Sequence, residues 1–201
     1  MTAGRAENTP VLGTARLVLR RFEEGDINAI YAIFSDERVN RFLPWFPLKS
    51  IEEAEAFFEE RYRANYKKPT GYNYAVCLRT NNVPVGYVHL NVGEGYDLGY
   101  GLKSEFWHQG IMTEACLAVL KRAEEDKIPY VTATHDVNNP ASGNVMRRMG
   151  MWYVYTYEEQ WQPKDFPVTF RMYQKNFSAC KGWTFRKYWD GAKVHYVELG
   201  L

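Results

Sequence analysis

The stretch SEFWHQGIMTEACLAVL, Ser104 to Leu120, joins an aromatic pair to an apolar run with helical spacing through the polar residues Gln109, Gly110, Thr113 and Glu114. A helix that begins there presents its first backbone amides, about Gln109 to Thr113, without intrahelical acceptors and at the positive end of the helix dipole. Such a turn binds anions. Phosphate oxygens satisfy the amides, Gly110 lets the backbone approach closely, and the Thr113 hydroxyl adds a bond. The same residues also suit a plain helix start, so the turn alone leaves both readings open.

The run YDLGYGL just before it is the second candidate. Side chains alternate along a strand, so Tyr96, Leu98, Tyr100 and Leu102 share one face while Asp97, Gly99 and Gly101 leave the other nearly bare. Glycine inside a strand marks a bulge or the close approach of another backbone or a ligand. Further on, NNPASGNVMRRMGM reads as a short helix with Asn139 as its cap, Pro140 at its first position and Gly150 at its end. Ser142 then falls in the first turn. Glu158 and Glu159 sit near the end of the next-to-last strand, a polar strand end that also suits an amine. His89 and His135 read as hydrogen-bonded sheet residues, and no second ligand stands at metal spacing, so no metal site is expected.

These residues must be held by a recognisable order of elements. Ala15 to Phe22 is β-rich, and Asp26 is positioned to cap one amphipathic helix running to Leu43. Ser50-Ile51-Glu52-Glu53 fits a capping box that opens a second helix, with Ala54, Phe57, Phe58 and Tyr62 on one face. From Tyr72 three short β-runs form an antiparallel meander. The helix after Gly110 ends before Pro129; YVTATH is a strand, and WYVYTYEEQW and VTFRMYQKNF follow the short helix as two more. The order β, α, α, three strands, α, β, α, two strands predicts an α+β or mixed α/β sheet flanked by helices.

FWHQGIMTEA followed by NNPASGNVMRRMGM resembles the Gcn5-related N-acetyltransferases (GNAT), and most of all the branch of RimJ/RimL-type ribosomal-protein N-acetyltransferases. The likeness runs from Ala15 to Phe177. It implies a central, mostly antiparallel twisted sheet, splayed between the two strands that flank the cofactor, with helices on both faces. The family signature Q/R-x-x-G-x-G/A falls on Trp107, Gly110 and Met112, and this chain departs from it at the first and last positions. By resemblance, the turn's amides cradle the pyrophosphate of acetyl-coenzyme A, and the pantetheine arm pairs with the free edge of the YDLGYGL strand, where Gly99 and Gly101 suit its approach. The implied cofactor contacts are Leu102, Gln109, Gly110, Ile111, Met112, Thr113, Asn139 and Ser142. Asn139 reaches the pantetheine arm in that scheme. Ser142 lies near the sulfur as the acid for the departing thiolate, with Tyr153 or Tyr155 in reserve. Asp97 takes the slot of an acidic residue facing the acceptor.

Composition narrows the remaining choices. The chain has 201 residues, 46% apolar and 16% aromatic, which is ample for one core. The expected organisation is a flexible leader over 1–13, an acetyltransferase domain over 14–177 and an extension over 178–201. In the extension, Asp190-Gly191 suggests a hairpin. Its interleaved aromatic and basic residues also suit nucleic-acid stacking, but a net charge of +1 gives no reason to expect nucleic acid or a membrane as partner. Cys77, Cys116 and Cys180 are odd in number and lack ligand spacing, as free thiols of a reducing, cytoplasmic compartment would be. The function expected is acetyl-CoA-dependent acetylation of a primary amine, foremost the α-amino group of a protein N-terminus. The alternatives are a small-molecule amine, such as an amino acid or an antibiotic, and a non-catalytic CoA-binding module. A homodimer is left open.

Overall fold

The computed structural model describes residues 7–177 and 182–201. Its strands are β1 (Leu12–Gly13), β2 (Leu17–Arg20), β3 (Tyr72–Leu78), β4 (Pro84–Leu90), β5 (Leu98–Leu102), β6 (Tyr130–Asp136), β7 (Trp152–Trp161), β8 (Phe166–Asn176) and β9 (His195–Tyr196). Its α-helices are α1 (Ile27–Phe34), α2 (Glu37–Asn40), α3 (Ile51–Phe57), α4 (Ala64–Tyr66), α5 (Ile111–Glu125), α6 (Pro140–Arg148) and α7 (Lys187–Gly191). A π-helical segment, Phe58–Arg63, joins α3 to α4.

The strands form one sheet in the order β1-β2-β3-β4-β5 and another in the order β6-β8-β7-β9, with every pairing antiparallel. Among the described residues one isolated parallel bridge, Asp97 to Thr132, ties the residue before β5 to β6. The two sheets therefore part at that point. One core lies between the first sheet and α5, built on Leu17, Leu19, Val88, Leu98, Ala115, Cys116 and Val119. A second lies on the opposite face of that sheet, where α1 and α3 bring Ile30, Ile33, Phe34 and Ala54 against Ala75, Cys77 and Tyr87. The central strands β3 and β4 make this possible, since they are buried almost continuously on both faces.

Several local expectations need correction. The first helix is broken at Ser35, because Asp36 is extended (φ −68°, ψ 112°) and its carboxylate accepts from the Arg38 amide to start α2. Asp26 makes no side-chain cap to α1; its carboxylate instead binds Arg20 at 2.6 and 3.0 Å and the Glu23 amide at 2.9 Å. A bidentate guanidinium is a stronger partner than a helix amide. Within the stretch read as a leader, Asn8 and Thr9 are buried, and Thr9 bonds Gly71 through its amide at 2.8 Å.

The extension is not a hairpin within residues 182–201. Asp190 and Gly191 lie in α7, and β9 pairs with β7 instead of with a strand of its own. Aromatic burial decides this: Tyr188 stacks on Tyr157 at 5.3 Å and Trp189 meets Tyr155 edge-on at 5.4 Å, so the segment spends its apolar surface on the sheet. Arg171 and Glu198 close the contact with a bidentate pair at 2.9 and 2.6 Å.

Candidate active site

Helix α5 starts from Gly110, whose φ of +73° and ψ of 4° place it in the left-handed region that favours glycine. No side chain caps the helix, and its first internal bond runs from the Glu114 amide to the Gly110 carbonyl at 3.0 Å. The amides of Ile111, Met112 and Thr113 are left open toward the turn. Two side chains brace it. Trp107 Nε1 donates to the Leu102 carbonyl at 2.8 Å, and Arg16 donates to the Gln109 carbonyl at 2.9 Å while pairing with Glu114 at 2.7 Å. Glu114 neutralises the Arg16 charge, so the attraction for an anion comes from the open amides and the helix dipole.

Next to the turn, β5 presents an unpaired edge. The Asn91 amide donates to the Asp97 carbonyl and the Lys103 amide to the Val85 carbonyl, both at 2.9 Å. Antiparallel alternation therefore turns the backbone groups of Leu98, Tyr100 and Leu102 away from β4, and of these the Leu102 carbonyl is taken by Trp107 while those of Leu98 and Tyr100 face the gap between the sheets. Across that gap stands the start of α6. Tyr100 donates its hydroxyl to the Ser142 carbonyl at 2.9 Å, and the Tyr100 and Ser142 hydroxyls are 3.0 Å apart. Burial, the largest influence on Tyr100, pushes its pKa far above that of a free phenol, so this hydroxyl keeps its proton at neutral pH. Asn139 caps α6, its side-chain oxygen accepting from the Ser142 amide at 3.4 Å, which leaves its amide NH₂ group available.

The other face of the same strand lines a cavity of about 610 Å³ whose walls include Arg61, Asn65, Lys68, Asn73, His89 and Asp97. Asp97 Oδ1 is sealed from solvent and has no hydrogen-bond partner among the described residues. Burial raises this carboxyl to about 6. His89 lies parallel to Tyr87 at 5.9 Å, and burial together with the charge of Arg61 lowers it to about 3, so it is neutral at physiological pH.

Residues 16–152 match the family described as the acetyltransferase (GNAT) domain. The chain belongs to the GNAT acetyltransferases. As a GNAT protein it is similar to the N-acetyltransferase YnaD of Bacillus subtilis (strain 168), 29% identical over 142 residues that cover 69% of this chain and 80% of YnaD. Among solved structures, a GNAT-family acetyltransferase from Bacillus anthracis superposes with a TM-score of 0.73 at 22% identity, covering 83% of this chain and 98% of that one. RimL, a ribosomal L7/L12 α-N-protein acetyltransferase in complex with coenzyme A, superposes at 0.72 with 21% identity and coverage of 85% and 99%. The chain is accordingly an N-acetyltransferase of the fold its sequence resembles.

Within this GNAT fold the residues singled out from sequence divide into two groups. Leu102 ends β5, Gln109 to Thr113 form the turn and first turn of α5, Asn139 and Ser142 start α6 opposite Tyr100, and Asp97 bridges to Thr132 of β6. Gly99 and Gly101, read as room for the pantetheine arm, serve a different purpose. A Cβ on Gly99 would lie 2.3 Å from the His89 ring and one on Gly101 2.5 Å from the Tyr87 ring, so cross-strand rings already fill the bare face. Tyr153 and Tyr155 are not free to act as the reserve acid. Tyr155 donates its hydroxyl to the Phe185 carbonyl, and the Tyr153 hydroxyl, beside that of Thr156, accepts from the Glu198 amide.

Glu158 and Glu159 are exposed on β7 and line no part of the cavity. His135 is buried, with Nδ1 on the Asp136 carbonyl and Nε2 facing Gly143 without a partner. His89, expected to be hydrogen-bonded, instead stacks and faces the cavity. Burial raises the thiol of Cys77 to about 12, and raises that of Cys116 as well; Cys180 lies outside the described residues. Among the described residues no group of three or more His, Cys, Asp or Glu is placed to hold a metal, and no helix is long and apolar enough to cross a membrane.

Sequence reasoning missed Tyr100, Arg16 and Arg61. Alternation had put Tyr100 on an apolar face with Leu98, and nothing in a strand pattern announces where a phenol's far end will land.

Proposed function

We propose that this chain transfers the acetyl group of acetyl-CoA to the α-amino group of a protein or peptide N-terminus in the cytoplasm. The observation that carries the reading is the double use of β5. Its edge and the open amides of α5 face one compartment, while Asp97, immediately before the strand, faces a separate polar cavity. A donor and an acceptor are thereby served from two sides of one strand.

The residues on the donor side fit coenzyme A. Uncapped amides at Ile111 to Thr113, at the positive end of the α5 dipole, suit a pyrophosphate, and the edge groups of Leu98 and Tyr100 suit an extended amide-bearing arm. Acetyl-CoA supplies the thioester carbonyl that the amine attacks. The Leu98 and Tyr100 backbone is positioned to orient that group and to donate to its oxygen, and the Ser142 hydroxyl to give a proton to the departing sulfur. Asp97, ionised at neutral pH, accepts a proton from the amine on the cavity side.

An Asp at about 6 is a weak base for lysine. At pH 7 deprotonating a lysine costs about 4.6 kcal/mol, against roughly 1–1.4 for an α-amino group, so the N-terminus is the acceptor this base can serve. The test is thiol release from acetyl-CoA with a free-N-terminus peptide and with its N-blocked counterpart carrying one lysine. The free N-terminus is expected to react faster by at least about tenfold. Preference for the blocked peptide overturns the acceptor assignment, and no release with any amine leaves a CoA-binding module.

A second result is expected on the donor side. Gly110→Asp strains a residue at φ +73° and puts a carboxylate beside open amides, so CoA affinity should fall more than about tenfold. A Cβ there meets only Arg16 Nη2, at 3.6 Å, within 4 Å, so the cost is backbone strain and not a packing clash. Unchanged affinity by calorimetry in the folded variant removes the phosphate cradle.

A further inference from the structure

The cavity beneath Asp97 carries opposite charges on its two walls. Asp97 stands immediately before β5, while Arg61 comes from the π-helical segment and Lys68 from the bend after α4. Arg61 and Asp97 do not pair with each other, and among the described residues the Arg61 guanidinium makes neither an ion pair nor a hydrogen bond. Its neighbour Arg63 shows what an ordinary arginine on this helix does: it binds Glu59 at 2.9 Å and also Glu24.

Arg61 is nonetheless held in place. Its guanidinium lies over the Trp45 ring at 4.3 Å and near the Phe57 ring at 5.5 Å, contacts that fix the faces of the group and leave its N–H edges free. The backbone beneath it is unusual. From Phe58 to Arg63 the helix widens to π geometry, with the Ala64 amide bonding the Glu59 carbonyl. That widening keeps Phe58 and Tyr62 in the core while Arg61 takes the cavity side, and π turns of this kind concentrate at functional sites. Nearby His89 carries no charge to compete, and Glu60, the other acid on the wall, is exposed at the rim.

We propose that the acceptor is a primary amine that also bears a carboxylate, with the amine at Asp97 and the carboxylate on the free edge of Arg61, assisted by Lys68. This rests on the reading of the cavity as the acceptor side. A carboxylate of this kind has two sources: an acidic side chain close behind a peptide N-terminus, or the α-carboxylate of a free amino acid. An arginine fork meets either one bidentately.

The experiment measures kcat/KM for two matched pairs of acceptors, a C-terminally amidated Ser-Glu peptide against its Ser-Gln twin, and free serine against serinamide. Each is run with the wild type, Arg61→Met and Arg61→Lys, after CoA affinity and melting temperature have shown the variants folded. The wild type should prefer the carboxylate-bearing member of at least one pair by about tenfold or more, mainly through KM. Arg61→Met should bring that ratio close to one, and Arg61→Lys should restore part of it. Turnover of serine but of neither peptide keeps this inference and removes the N-terminal acceptor. Turnover of peptides with a ratio within twofold in both pairs, or a preference that survives Arg61→Met, overturns the inference alone. No turnover of any amine overturns both.

Discussion

Ser142→Ala is expected to lower kcat by about 10²–10⁴, the usual loss for a positioned acid, while CoA affinity stays similar. A thiolate leaves poorly unless it gains a proton, and the Ser142 hydroxyl is 3.0 Å from a phenol that burial keeps protonated. The substitution is structurally mild. Tyr100 retains its bond to the Ser142 carbonyl, a backbone group that alanine also has, so no buried hydroxyl is orphaned and the melting temperature should barely move. Tyr100→Phe is the companion variant. If it loses as much activity while Ser142→Ala loses little, the proton comes from Tyr100 and the assignment of Ser142 as acid is wrong.

Asp97→Asn is expected to lower kcat/KM by about ten- to a hundredfold at pH 7, a modest loss because an α-amino group needs little help to deprotonate. In the wild type, burial places this carboxyl at about 6, so kcat/KM should rise with pH through that value, and the limb should vanish in the variant. The charged state of Asp97 is felt by Tyr100 on β5, Tyr157 on β7 and Tyr188 on α7, all of which keep their protons across this range.

Stability should move the opposite way. The folded carboxyl titrates above its unfolded value of about 3.9, so the ionised form opposes folding above pH 6. That opposition fades as pH falls from about 6 toward 3.9 and is absent below. Asp97→Asn should therefore raise the melting temperature at pH 7.5 and change it little near pH 4. A collapse of several thousandfold in activity would show a carboxylate far more essential than this, and an unaltered pH limb would place the titrating group elsewhere.

How much of this was legible beforehand depends on the range over which each feature is encoded. The turn before α5 was readable because its parts are neighbours in sequence: a glycine at a helix start follows from local rules. Asn139 and Ser142 were legible for the same reason, since a cap and the residue three positions on are bound by helix geometry. Two of the local failures had competitors that sequence spacing does not show. Asp26 has a guanidinium within reach, and Asp36 starts a new helix where periodicity continues through it.

By itself, the sequence determined the order of the main elements, a sheet flanked by helices, the helix start at Gly110 and, through two short motifs at a set separation, the family. These rest on hydrophobic period, turn residues and caps, all of which act within a few residues. Only the tertiary structure decided that rings from β4 fill the glycine face of β5, that the extension engages Tyr153 and Tyr155, that Tyr100 meets Ser142, and that Arg61, His89 and Asp97 share one cavity. Those pairs are separated by up to tens of residues, and what joins them is strand register and helix packing, which no local pattern specifies.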